Sequence, residues 1–184
     1  LAGLVQFTGE VVDDGLVAPS ASVGRAVQEA AAALERAGLT VVPFPPPGIK
    51  DALALYFGVM SADGGETAFA QLAGTTTEPT LLPLRKAAAL PAAVRAGLAR
   101  TLRSVGEGRA GWFLSQVGVK GVAELWRLTK AARDYRLSLL AAMRREGVDV
   151  LLCPAHATPA VPHGMSAQFT LAGSSSMLFN LVQF

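Results

Sequence analysis

The sequence predicts an α/β fold, and three observations lead there. A short apolar strand, an amphipathic helix and a β-branched strand follow one another over residues 4–42; a long helix is readable from Val122 to Met143; and an uncharged apolar run, Val148 to Cys153, follows it and stops at Pro154. Strands that alternate with helices are the signature of that class.

Each element has a local reason. Leu4 to Phe7 reads as a strand, and Asp13, Asp14 and Gly15 read as the turn that ends it. Pro19, Ser20 and Ser22 stand where an N-cap belongs, Val23, Val27, Ala30 and Leu34 recur at three- and four-residue spacing, and Gly38 suits the helix exit. Thr40 to Val42 is β-branched and is expected to stop at Pro43, the first of a proline-rich run that cannot donate to a ladder. Ile49 to Met60 predicts a helix with Leu53, Tyr56 and Phe57 on one side, and Ser61 to Glu66 predicts a tight turn around Gly64 and Gly65 before a short helix to Leu72. Gly74 to Pro79 is polar loop. From Leu81 to Val119 the apolar pattern is interrupted by Pro83, Pro91, Gly97, Gly106, Gly108 and Gly111, which predicts two or three short helices. The long helix then carries Val122, Leu125, Leu128, Ala132, Tyr135, Leu139 and Met143 on its apolar side and Glu124 with Arg127 and Lys130 with Asp134 as exposed pairs; Gly147 stops it. Val148 to Cys153 has the composition of a buried strand.

Composition narrows the class of protein. The 184 residues are 51% hydrophobic and 16% charged with a mean hydropathy of +0.39, enough apolar content for a core and too little charge for a disordered tail. No apolar run reaches the roughly 18–20 residues that span a bilayer. The chain opens on Leu1 without methionine or leader pattern and closes on Phe184 inside an apolar stretch, so both ends are expected to be cut. A single cysteine, Cys153, excludes an internal disulfide and a cysteine-built zinc cluster and favours a reducing, cytoplasmic setting. The net charge of +2 hides an asymmetry: residues 1–84 carry three basic and nine acidic side chains, whereas residues 85–145 carry thirteen basic and three acidic. Such a block suits either an anionic partner or ordinary solvated helix faces.

Several chemistries can be weighed on these residues. The run Gly173, Ser174, Ser175, Ser176 offers hydroxyls, and His156 and His163 offer bases, but the G-x-S-x-G elbow is absent, no carboxylate neighbours either histidine in sequence, and serines so placed ordinarily serve turns and caps. The two histidines, seven apart in an irregular stretch, do not fit zinc spacing, and no metal or cofactor is expected. Asp63 and Glu66 would repel a phosphate from the glycine turn, which makes a structural turn the better reading. The aromatics Trp112, Phe113 and Trp126 lack the spacing of a base-stacking platform, and no nucleic-acid partner is expected. From Leu81 to Phe113, leucines and Val94 lie among Arg85, Lys86, Arg95, Arg100 and Arg103; that composition suits a packed surface helix, a helix on anionic lipid, or a cover over an apolar pocket.

Taken in order, a further set of marks resembles a known family. Arg25-Ala26-Val27 leading to Leu34-Glu35-Arg36-Ala37-Gly38, Phe44 with its prolines, Ala62-Asp63-Gly64-Gly65, Phe113-Leu114, Leu125-Trp126, Tyr135-Arg136, Asp149-Val150-Leu151-Leu152 before Pro154, and Ser176-Met177-Leu178-Phe179-Asn180 with Phe184 resemble in identity and spacing the C-terminal half of amidase signature enzymes, on the fatty acid amide hydrolase branch. The Asp-Gly-x-Arg-Tyr-Gly pattern of the tRNA-dependent amidotransferase A subunits is missing.

The resemblance implies part of an amidase signature fold, a large mixed sheet covered by helices, with residues 1–184 the C-terminal part of a single amidase domain and 81–119 a helical cap-like insertion. It implies hydrolysis of lipophilic amides by a lysine, a bridging serine and a nucleophilic serine, all upstream of the matched region, so the chain alone is expected to be inactive. By position it assigns an acyl-chain wall to Met60, Ser61, Leu81, Leu84, Phe113, Val117, Thr170, Gly173 and Met177. Ser61 stands where the branch has an aromatic and Gly173 where it has a branched aliphatic, which implies a wider pocket. The stretch 81–113 matches the family's membrane-facing cap, so a peripheral membrane surface is an expected partner, as is a second copy of the chain. The alternatives are an amidase for small amides and a noncatalytic lipid- or partner-binding module.

Overall fold

The computed structural model describes residues 2–5, 17–76 and 79–183. In chain order these form β1 (Ala2–Val5), α1 (Ala21–Arg36), β2 (Val41–Phe44), α2 (Ile49–Met60), α3 (Glu66–Gln71), a 3₁₀ turn (Pro79–Leu81), α4 (Leu82–Ala89), α5 (Ala92–Ser104), α6 (Gly108–Gln116), α7 (Val122–Arg145), β3 (Val150–Leu152), a second 3₁₀ stretch (Ser166–Gly173) and α8 (Ser174–Val182). Helix dominates. The described strands are three, short and all parallel, in the order β2-β1-β3, so in place of a large mixed sheet these residues hold a small parallel one. The turn expected at Asp13–Gly15 lies outside the described residues.

The chain divides into two compact units, 1–52 with 133–184, and 53–132. In the first, Ser20 caps α1 by accepting from the Val23 N–H at 3.4 Å, while the half-buried Val23, Val27, Ala30 and Leu34 mark the inward stripe beside buried Ala31. The strand after it runs further than expected. Pro43, where a stop was predicted, is inside β2 and pairs in register with Leu4. Among the described strands β2 lies at the edge of the sheet, where a residue without an N–H need not complete ladders on both sides. The third strand also departs from expectation: Val150 is 59% exposed, and Leu151 and Leu152 are half-buried, so β3 is a part-exposed edge.

The core of this unit joins Phe44, Leu139, Ala142, Met143, Val148 and Val182, with Val42, Tyr135, Leu151 and Phe179 packed on it. Leu139, Ala142 and Met143 sit at the three- and four-residue spacing that puts them on one face of α7. Tyr135 brings a polar atom to this apolar setting, and its hydroxyl is buried with no hydrogen-bond partner among the described residues. Burial, and then the Asp51 carboxylate, push its pKa from 10.0 up to about 12. Between those values the unfolded chain loses the proton that the folded chain keeps, so stability falls as pH rises through this window. Tyr135→Phe is expected to be neutral or to stabilise by about 1 kcal/mol at pH 7, because a stranded hydroxyl is removed, and to flatten the alkaline loss. Thermal melts of both proteins at pH 7 and pH 11 decide it; a clear loss at pH 7 would mean that the hydroxyl has a partner.

In the 53–132 unit, Leu53 and Phe57 of α2 are buried, as the predicted face requires. Pro83 falls in the first turn of α4 and Pro91 caps α5, positions where no helical N–H is needed, so the two prolines divide the helices without breaking them. Helices α5 and α6 cross closely. Gly111 faces the Ala99 carbonyl, where a Cβ would come within 2.6 Å, and Arg103 Nη2 crosses to the Gly111 carbonyl at 3.3 Å and to Ser115 Oγ at 2.9 Å.

Candidate functional site

The residues assigned to the acyl-chain wall fall in both units, and each group is local. Met60, Ser61, Leu81, Leu84, Phe113 and Val117 belong to 53–132; Thr170, Gly173 and Met177 belong to the other unit.

Ser61 is the best anchored of the first group. It follows the last residue of α2, donates Oγ–H to the Phe57 carbonyl at 2.6 Å, and accepts the Gly118 N–H at 2.9 Å. The neighbouring bond from Lys120 N–H to the Ala62 carbonyl, 2.8 Å, closes the same junction. These two bonds tie the start of the helical segment to its end. Val117, beside Gly118, is buried at 2% exposure, and its N–H reaches back to the Phe113 carbonyl at 3.4 Å. The Phe113 ring meets Phe57 edge-on, centroids 4.9 Å apart, and Trp112 meets the same ring at 6.2 Å, an arrangement that aromatic quadrupoles favour. Ser61 and Phe113 thus both meet Phe57, and Val117 is tied to Phe113 through the backbone. Met60 is 63% exposed and Leu84 43%, so both present apolar surface rather than core; Leu81 is half-buried at the head of α4.

The glycine turn is structural. Both carboxylate oxygens of Asp63 are taken, one by the Gly65 N–H at 2.7 Å and the other by the Thr67 N–H at 2.9 Å. The Thr67 and Gly65 bonds hold its carboxyl below the usual range. Gly64 and Gly65 take positive φ, +73° and +86°, and a Cβ at Gly64 would come within 2.9 Å of Val119 Cγ2.

In the other unit, Gly173 ends the 3₁₀ stretch, and a Cβ there would meet Met177 Cε at 3.7 Å and His156 Cδ2 at 3.8 Å. That is ordinary contact distance, and a branched aliphatic side chain would occupy the space that glycine leaves. Thr170 is exposed and spends its hydroxyl on the Ala167 carbonyl at 3.0 Å. The serines give no nucleophile: Ser176 Oγ donates to the Ala155 carbonyl at 2.7 Å, while Ser174 and Ser175 are buried at the start of α8. His156 Nδ1 lies 3.1 Å from the Thr158 carbonyl oxygen and 3.2 Å from both the Thr158 amide nitrogen and its hydroxyl, so Thr158 occupies that ring nitrogen whichever nitrogen of the neutral ring carries the proton. Burial pushes the Cys153 thiol up, away from reactive thiolate. Among the described residues no three of His, Cys, Asp and Glu gather as a metal site would require.

The structure also corrects one residue that composition had grouped with the surface cations. Arg95 is buried, 7% exposed, and donates Nη1–H to the Leu90 carbonyl at 2.5 Å. Its guanidinium lies against Gly118, at φ +110°, so closely that a Cβ there would overlap it. Lys120 is next to it. Burial first, then the Arg95 charge, draw the Lys120 pKa down, and Glu124 partly offsets them. Gly118 was the one visible signal for this arrangement, as a glycine in an otherwise apolar and basic junction.

The chain belongs to the amidase family, whose pattern matches residues 8–184. Fatty acid amide hydrolase 1 of Caenorhabditis elegans is 30% identical over 176 residues, 96% of this chain and 30% of that protein. Fatty-acid amide hydrolase 1 of Sus scrofa is 33% identical over 172 residues, 93% of this chain and 29% of that protein. The Vitamin D3 hydroxylase-associated protein of Gallus gallus is 33% identical over 120 residues, 64% of this chain and 26% of that protein. The chain therefore spans about three tenths of the length of the first two relatives.

Proposed function

We propose that this chain is the acyl-binding part of an amide hydrolase for lipophilic acyl amides, with the catalytic lysine and two serines carried outside these 184 residues. The observation that carries the proposal is the match of nearly the whole chain to two proteins named fatty acid amide hydrolase. Physical support comes from the half-buried Phe113 ring, which packs on Phe57, and from the exposed Met60 and Leu84. An acyl chain needs no polar partner to bind such surface, since each buried methylene contributes about 0.8 kcal/mol. Helices α4 and α5 are the proposed cap. Leu82, Leu84, Val94 and Leu98 are 39–53% exposed among Arg85, Lys86 and Arg100, an apolar face edged by cations that suits an anionic lipid surface. No helix among the described residues is long and apolar enough to cross a membrane, so the contact proposed is peripheral. The same apolar face is the one proposed to meet a second copy of the chain.

The full-length protein is expected to hydrolyse a long-chain acyl amide with a kcat/KM at least about tenfold above that for the acetyl amide, the effect of two or three buried methylenes. Phe113→Ala should remove about tenfold from the long-chain value and leave the acetyl value unchanged. Absence of any amide turnover overturns the proposal; equal turnover of both amides assigns the protein to small amides. Cosedimentation with anionic vesicles, lost when Leu82, Leu84, Val94 and Leu98 become serine, tests the cap, and sedimentation velocity without lipid reads the self-association.

A further inference from the structure

In the 53–132 unit a cation is buried with no anion bonded to it among the described residues. Arg95 is 7% exposed, and its one polar partner among the described residues is the Leu90 carbonyl, a neutral acceptor that engages one of five guanidinium donors. One face of the group is covered by Gly118, which leaves its in-plane N–H edges as the directions for further bonds. Lys120, half-buried two residues beyond Gly118, adds a second positive charge close enough to be felt electrostatically, and its Nζ is held by the Gln116 carbonyl at 2.9 Å. Buried charges are costly and are ordinarily paired, and two like charges brought together in a poorly solvated place raise that cost. An anion between them removes both penalties.

We propose that Arg95, with Lys120 beside it, is a seat for the carboxylate of a lipophilic acid. The planar guanidinium matches a carboxylate in two parallel bonds, and the ammonium supplies a point charge at its side. The location selects the rest of the ligand. Gly118, against which Arg95 lies, is bonded to Ser61; Met60, beside Ser61, and Val119, beside Gly118, are 63% and 60% exposed, so a carboxylate on Arg95 has apolar surface close by for its chain. This part rests on the proposed function, because the free acid is what hydrolysis of an acyl amide releases. The seat would thus retain product or admit a lipophilic acid from outside, and an occupied seat would compete with substrate for the wall.

Calorimetric titration of the full-length protein with decanoate, acetate, inorganic phosphate and the neutral decanamide tests the proposal apart from turnover. Decanoate should bind at least about tenfold more tightly than acetate or phosphate and weaken with added salt, as a charge pair does. Arg95→Gln should lower decanoate affinity at least tenfold and leave decanamide binding unchanged. Because Arg95→Gln can also loosen the fold, Lys120→Gln serves as the second variant, with a several-fold loss expected; Arg127→Gln, an exposed residue paired with Glu124, should change nothing. Decanoate affinity that is the same in Lys120→Gln and the parent overturns the proposal, as does decanoate binding no tighter than decanamide. Binding with these properties in a protein that hydrolyses no amide upholds the carboxylate seat and rejects the enzymatic reading.

Discussion

Gly118→Ala is expected to lower the stability of the protein by about 3 kcal/mol or more. Two costs combine. Alanine at φ +110° is strained by roughly 1–3 kcal/mol, and its Cβ would overlap a buried guanidinium that has little room to retreat. The displaced Arg95 would also lose its bond to the Leu90 carbonyl. Urea unfolding of both proteins measures the loss, and a value under about 1 kcal/mol would refute the packing of Arg95 on Gly118. The steric part can be isolated. In an Arg95→Ala background the same glycine substitution should cost only the backbone strain, so a double-mutant cycle should return a coupling of about 1–2 kcal/mol between two positions 23 apart in sequence.

Leu139→Ala should cost about 2–5 kcal/mol, the range for emptying a fully buried leucine site. Leu139 is 0% exposed in the cluster with Phe44 and Val182, and the surrounding strands and helices can collapse into the void only in part. Leu137, on the same helix two residues earlier, is 55% exposed, and its alanine variant should stay within about 0.5 kcal/mol of the parent. Equal effects at the two positions would mean that α7 packs on a different face.

Helix α7 was legible because its apolar residues keep one period over its whole length and nothing in it breaks a helix. In 81–119 Pro91 and Gly106 were legible for the opposite reason, since they divide the segment into α4, α5 and α6 nearly where they stand, whereas Gly97 and Gly111 lie inside α5 and α6. Pro43 was misread because a proline removes a ladder bond only where its nitrogen faces a paired strand, and pairing is a property of the sheet, not of the local sequence. The wall residues could be named only through family resemblance. Nothing in the spacing of Ser61 and Phe113 brings them near one another; the chain does so through α2, whose Phe57 bonds to the first and stacks on the second. Arg95 was legible as a charge and not as a buried one, because its burial depends on Gly118 leaving space for it.

The paired bonds at the neck, Ser61 with Gly118 and Ala62 with Lys120, have a consequence for how such a chain can vary. Residues 63–117 leave and return at nearly the same point, so the separation of their ends is set by the neck and not by what lies between. A segment joined in that way behaves as a cassette: it can be lengthened, shortened or exchanged at a loop-closure cost that grows only with the logarithm of its length. Variation in the helices beyond the neck can therefore retune what the protein touches while α2 and α7 keep their registers.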